Sequence, residues 1–161
     1  MSQENVEIAQ RFSKAFEQAS RAYWEDPRSF EDAVKTGELG PEAAELIGYL
    51  HPEVEWRTAF SLAGEIRRGH VEFARFCDEW LDATEDYTVT IRSVSDIGDD
   101  RVFIVSDLAF KGKGTGIEVN GVSFAVVTVR EGLITRIDEH STRADALEAL
   151  GLSAQDAQAD S

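Results

Sequence analysis

The stretch Gly132–Gly151, GLITRIDEHSTRADALEALG, decides how the rest of the chain is read. Glu131-Gly132 makes a tight turn at its start. A strand follows, carrying Ile134 and Ile137 among polar residues on both faces. Thr142 and Asp145 then stand at capping-box spacing, with Asp where Glu is more usual, so a short helix opens there. Gly151 followed by Leu152 is its left-handed stop with an apolar contact. Arg136, Asp138, Glu139 and His140 crowd into the strand, the densest cluster of titratable groups able to point into a fold.

Working back from this end, the preceding pattern is β. Ile117–Arg130 is rich in Val and Phe, and a loop with glycines at 112, 114 and 116 leads into it. Arg101–Lys111 carries Val102, Ile104 and Val105, and Gly98-Asp99-Asp100 turns it back on the alternating run Tyr87–Ile97. Four strands joined this way make a long antiparallel meander.

The first part of the chain is helical. In residues 3–24, Ile8, Phe12, Ala15, Phe16, Ala19 and Tyr23 recur at spacings of three and four and form one stripe, with Ser2 as the cap. A second helix starts at Pro41, shows Ala44, Leu46, Ile47 and Leu50 on one face, and stops at Pro52. A third, over 70–83, turns Phe73, Phe76, Cys77, Trp80 and Leu81 inward. Between these two, Val54, Trp56 and Thr58 alternate with charged residues as in a half-buried strand, and a short extended piece around Ile66 pairs beside it. Residues 25–40, EDPRSFEDAVKTGELG, read as a connection with one helical turn at Phe30–Val34, a solvated insertion rather than a lid.

Three helices, an antiparallel meander and a closing helix define an α+β architecture with the helices on one face of the sheet. Such a sheet twists and curls, and its concave side, covered by the N-terminal helices, leaves a cone-shaped pocket. One domain over 1–152 is expected, with 153–161 as a polar, disordered tail.

With 161 residues and 42% hydrophobic side chains, the chain buries a core without staples. No apolar run is long enough to span a bilayer. The opening MSQENVEIAQ lacks the basic and apolar regions of a secretory signal, and the single cysteine, Cys77, fits a cytoplasmic location. Cys77 itself reads as a small buried apolar residue. Thirty-one acidic against 16 basic residues leave a net charge of −15, which repels nucleic acid and anionic membranes. His51, His70 and His140 sit on separate elements with no metal-ligand spacing, so neither a metal nor another cofactor is expected. The glycine loop lacks Walker spacing, since Asp107 stands where the first glycine belongs. No serine lies in a GxSxG elbow.

The segments HPEVEWR, RRGHVEFARFCDEW, GDDRV and REGLITRIDEHSTRADALEALGL, taken in order, resemble SnoaL-like proteins of the nuclear transport factor 2-like superfamily. The resemblance runs over about residues 3–152 apart from the insertion. It implies a curved-sheet cone (a cystatin-like roll) with a mostly apolar pocket, in a homodimer. The superfamily holds polyketide cyclases, ketosteroid isomerases, limonene-epoxide hydrolases, scytalone dehydratases and non-catalytic binding domains, so the fold alone chooses no reaction.

The resemblance also points to Glu139, the position that matches an acidic residue in the last strand of SnoaL-like cyclases. Strand alternation puts Thr135, Ile137 and Glu139 on one face and Ile134, Arg136, Asp138 and His140 on the other. A carboxyl among apolar walls has its charged form destabilised and becomes fit for acid–base work near neutral pH. The bland alternative is a surface glutamate paired with Arg136 or Arg130. His140 is the second catalytic candidate, provided a bulge re-aims the strand end. Trp56 faces inward and can stack on a flat ligand. Phe12, Phe16, Tyr23, Phe60, Phe73, Trp80 and Ile137 are candidate apolar walls. The isomerase pattern is broken, because WRTAF at 56–60 offers no acid and the first helix has Phe12 and Phe16 where those enzymes carry a tyrosine. Asp107 with Arg92 or Arg101 is the nearest set to an epoxide-hydrolase triad. The expected function is binding of a small apolar or polyketide-like molecule, with cofactor-free cyclase, isomerase or dehydratase chemistry, or else a non-catalytic ligand-binding or dimerisation module.

Overall fold

The computed structural model describes residues 2–25, 29–58 and 65–151. Phe60 and the 153–161 tail lie outside them. The described elements, in chain order, are α1 (Ser2–Glu25), α2 (Phe30–Thr36), α3 (Pro41–Gly48), β1 (Leu50–Arg57), β2 (Ile66–Arg68), α4 (Gly69–Ala83), β3 (Thr84–Gly98), β4 (Arg101–Gly112), β5 (Glu118–Arg130), β6 (Leu133–His140) and α5 (Arg143–Leu150). The strands form one curved, open sheet in the order β2-β1-β6-β5-β4-β3. Among the described residues no helix is long and apolar enough to cross a membrane.

The meander forms as the turn residues dictate. Asp99 and Asp100 take φ of 54° and 61°, and Glu131 and Gly132 take 53° and 80°. Two left-handed residues in a two-residue loop match the twist of the strands they join. Register shifts along β3 and β4 at Glu85/Thr88, Ile91/Ser93 and Asp96/Gly98 bend the pair.

The sheet is mixed rather than wholly antiparallel, because β1 runs parallel to β6. The fold brings the first strand beside the last, and the meander leaves β6 with a free edge for it. β1 also begins at Leu50, before Pro52. A proline in a strand flanked on both sides removes a ladder donor. The irregularity between Leu50 and Glu55 in the pairing with β6 accommodates it.

Alternation divides the core between two faces. On the helix-covered face, Val54, Trp56, Ile104, Val127 and Ile137 pack against Phe12 of α1, Leu46 of α3 and Phe73 of α4. On the other face, Phe103, Val105 and Val126 pack against Ala146 of α5. The Arg143 guanidinium lies 5.8 Å from the ring centre of Phe103 and 5.3 Å from that of Phe124.

The 25–40 connection holds a true helix. Ser29 caps α2 by accepting from the Asp32 N–H at 3.1 Å, and Gly37 closes it at φ 77°. Asp78 of α4 accepts from the backbone N–H of Phe30 at 2.8 Å, of Glu31 at 2.9 Å, and from the Ser29 hydroxyl at 3.1 Å. Glu31 accepts from Arg75 at 3.0 and 3.1 Å. The Arg75 and Lys35 partners hold the Glu31 carboxyl down at about 2. A seven-residue helix is marginal alone, and here a carboxylate 48 residues away joins Ser29 in capping it.

Candidate functional site

The last strand builds the site through one bulge. Thr128 pairs with Arg136 but Val129 pairs with Ile134, so Thr135 is the extra residue. Ile134 therefore joins Ile137 in the helix-side core instead of facing the other way with Arg136. Beyond the bulge alternation is regular, with Val127 opposite Ile137, Ala125 opposite Glu139 and Phe124 opposite His140. Glu139 thus follows Ile137 onto the helix-covered face.

There it lines a cavity of about 90 Å³ between the sheet and α1 and α4. Phe12, Phe16, Trp56, Phe76, Trp80 and Tyr87 supply its aromatic walls, and Ser13, Ser106, Ser123 and Glu139 its polar side chains. The rings brace one another: Trp56 stands 4.7 Å from Phe73 and 5.5 Å from Phe76, and Trp80 stands 5.7 Å from Tyr87, edge to face. The Trp56 indole nitrogen is buried and has no hydrogen-bond partner among the described residues.

Ser123 donates to Glu139 Oε2 at 3.4 Å. Among the described residues no cation pairs with Glu139. Arg136 is held on the opposite face by Asp138 at 2.7 Å and Glu55 at 3.3 Å. Burial therefore acts almost unopposed and pushes the Glu139 carboxyl up to about 7, with the Ser123 hydrogen bond pulling weakly the other way. Burial first, then the charges of Glu139 and Cys77, raise the Tyr87 phenol well above its usual range, so it stays protonated. Burial likewise raises the Cys77 thiol, with Asp78 and Glu139 adding to it, which keeps it from acting as a thiolate near neutral pH.

Six expected site residues meet at this cavity: Glu139, Trp56, Phe12, Phe16, Trp80 and Ile137. Two do not. No bulge follows Ile137, so His140 stays on the α5 side with Phe124, its Nε2 buried and without a hydrogen-bond partner among the described residues. Tyr23 lines a second cavity, of about 380 Å³, enclosed by α1, α2, α3 and α4. The Arg92–Asp107 pair is exposed and lies outside the cavity, so it imitates no epoxide-hydrolase triad. Tyr87 and Ser123 are functional candidates that the sequence reading passed over. Ser123 had a signal, being polar and in phase with Ala125 and Val127 of an otherwise apolar strand.

A curved, open sheet whose N-terminal helices cover one face is the α+β cone of the nuclear transport factor 2-like superfamily. Residues 27–137 match the SnoaL-like domain, and the chain belongs to that family. No curated protein matches the sequence. Among solved structures, the fold is similar to a protein assigned as a SnoaL-like polyketide cyclase from Jannaschia sp. CCS1, at 13% identity and TM-score 0.61, over 95% of each chain. It is similar to a protein assigned as a ketosteroid isomerase from Kribbella flavida, at 15% identity and TM-score 0.59, over 86% of this chain and 77% of that one. A nuclear transport factor 2-like protein from Burkholderia xenovorans LB400 matches at 19% identity and TM-score 0.56, over 92% and 97%. These likenesses are of fold.

Proposed function

We propose that this SnoaL-like domain binds a small, apolar, oxygen-bearing molecule of polyketide-like character in the sheet cavity and processes it by cofactor-free acid–base catalysis at Glu139. One observation carries the reading: a carboxyl set among aromatic walls, with no cation partner among the described residues and pushed up by burial to about 7. Such a group is divided between acid and base at neutral pH, where general acid–base catalysis is most effective. As carboxylate it removes a proton from a carbon next to a carbonyl. As acid it returns that proton to carbon or to oxygen. The Tyr87 and Ser123 hydroxyls are the donors of the same lining that would steady the developing enolate.

Solvent-deuterium exchange at the α-carbons of 2-indanone, followed by NMR, tests this. The wild-type protein should accelerate exchange with a rate that rises through about pH 7. Glu139→Gln should lose about 10²-fold or more of it while still binding the ketone. Equal rates in the two proteins would refute the mechanism. A second reading is a non-catalytic binder, favoured by a lining in which, among the described residues, Glu139 is the one charged group. In that case 2-indanone binds but exchanges no faster than in buffer.

A further inference from the structure

The sheet cavity is the smaller of the two described spaces, about 90 Å³ in front of Glu139, and leaves no room beside a ring for a tail. The helical cavity, about 380 Å³, falls in the range of small-molecule sites. The two meet at Phe16, whose side chain lines both. Phe16 is half-buried on α1 and makes an edge contact with Tyr87 at 6.3 Å between ring centres. Cys77 lines the helical cavity, yet its thiol is close enough to Glu139 to feel that carboxylate's charge. The two spaces therefore share Phe16 as a common wall.

We propose that they are two halves of one binding site divided by Phe16, and that the site takes an elongated neutral molecule, with an oxygen-bearing ring at Glu139 and an apolar tail between the helices. The head of this assignment rests on the function proposed above, and the tail rests on the shape of the helical cavity alone. Alanines 19, 22, 33 and 43 leave that space open, and Leu46 and Leu81 make it apolar. Its charged lining groups, among the described residues, are Glu38 and Glu42, which disfavour an anionic tail. Displacing the Phe16 side chain from Tyr87 is the step this assignment requires to join the two spaces. Phe16 is then the residue that sets how long a ligand reaches Glu139.

The test is the binding of 4-alkylphenols, from phenol to 4-heptylphenol, measured by titration calorimetry at neutral pH. In the wild type, affinity should rise about fourfold with each methylene that enters the helical cavity. Ala43→Leu, on half-buried α3 surface, fills part of that cavity and should flatten the rise for the longer members. Phe16→Trp thickens the partition and should flatten it from the first methylenes. A flat series in the wild type, or a slope unchanged in Ala43→Leu, would overturn the bipartite site, whether or not Phe16→Trp folds. A different result strikes the functional reading instead: phenol binds no better to wild type than to Glu139→Gln, while the chain-length slope and its loss in Ala43→Leu remain. That outcome keeps the tail site and removes Glu139 as the head contact.

Discussion

Replacing Glu139 by glutamine should raise stability relative to wild type as pH rises, and the size of the change follows from the site. The carboxyl ionises near 4.5 when free and at about 7 when folded. Below pH 4.5 both states hold the proton and its burial carries no charge penalty. Between 4.5 and about 7 the unfolded chain releases the proton while the folded protein keeps it, so stability falls as pH rises. The slope is ~1.4 kcal/mol for each pH unit. The total loss by pH 8 is on the order of 3 kcal/mol for a single buried group, an upper figure if water reaches the carboxyl. Glutamine keeps the shape and an oxygen for the Ser123 hydroxyl but cannot ionise. Urea unfolding of both proteins at pH 5 and pH 8 measures the difference. The account expects the stability of Glu139→Gln relative to wild type to rise by about 2–3 kcal/mol between those two values, whatever constant offset the amide brings. A relative stability that does not change with pH, or one that falls, would refute burial as the cause.

Three further outcomes follow from the packing. Asp78→Ala removes the three hydrogen bonds that cap α2, and should cost about 1–3 kcal/mol and speed amide exchange selectively over Phe30–Thr36; unchanged exchange there would contradict the tertiary cap. Glu31, held at about 2 by Arg75 and Lys35, stabilises the folded state above its free value of 4.5 and loses that effect progressively as pH falls from 4.5 to about 2; Glu31→Gln should therefore flatten the acid limb of stability, and an identical limb would count against the clamp. Cys77, buried with a raised thiol, should resist a thiol reagent at pH 8 until denaturant is added; prompt labelling of the native protein would contradict its burial.

Much of the fold was legible because its signals are local. The stripe Ile8–Phe12–Ala15–Ala19 reads directly as a helix, and the Gly98-Asp99-Asp100 and Glu131-Gly132 turns read directly as hairpins. The parallel pairing of β1 with β6 was not legible, since pairing partners 80 or so residues apart leave no mark on either strand alone. The α2 cap was hidden for the same reason, its acceptor lying on α4. The Thr135 bulge did leave a mark. Ile134 and Ile137 are both fully apolar at a spacing of three, which regular alternation cannot place on one face. The face of Glu139 was legible because it lies two residues past Ile137, beyond the bulge, while its choice as a candidate came from the family resemblance. His140 needed a second bulge that the strand does not make. Tyr23 was read as part of one stripe with Phe12 and Phe16, but α1 is long enough for its far end to serve a different cavity.

The central claim is that Glu139 is a buried acid poised at neutral pH. Labelling glutamate side-chain carboxyls with carbon-13 and following Glu139 by NMR from pH 3 to 9, with Glu139→Gln to assign the signal, tests it most directly. The account predicts a midpoint near 7 for the native protein. A midpoint near 4.5, the value of an exposed glutamate, would contradict it and remove the proposed acid–base role with it.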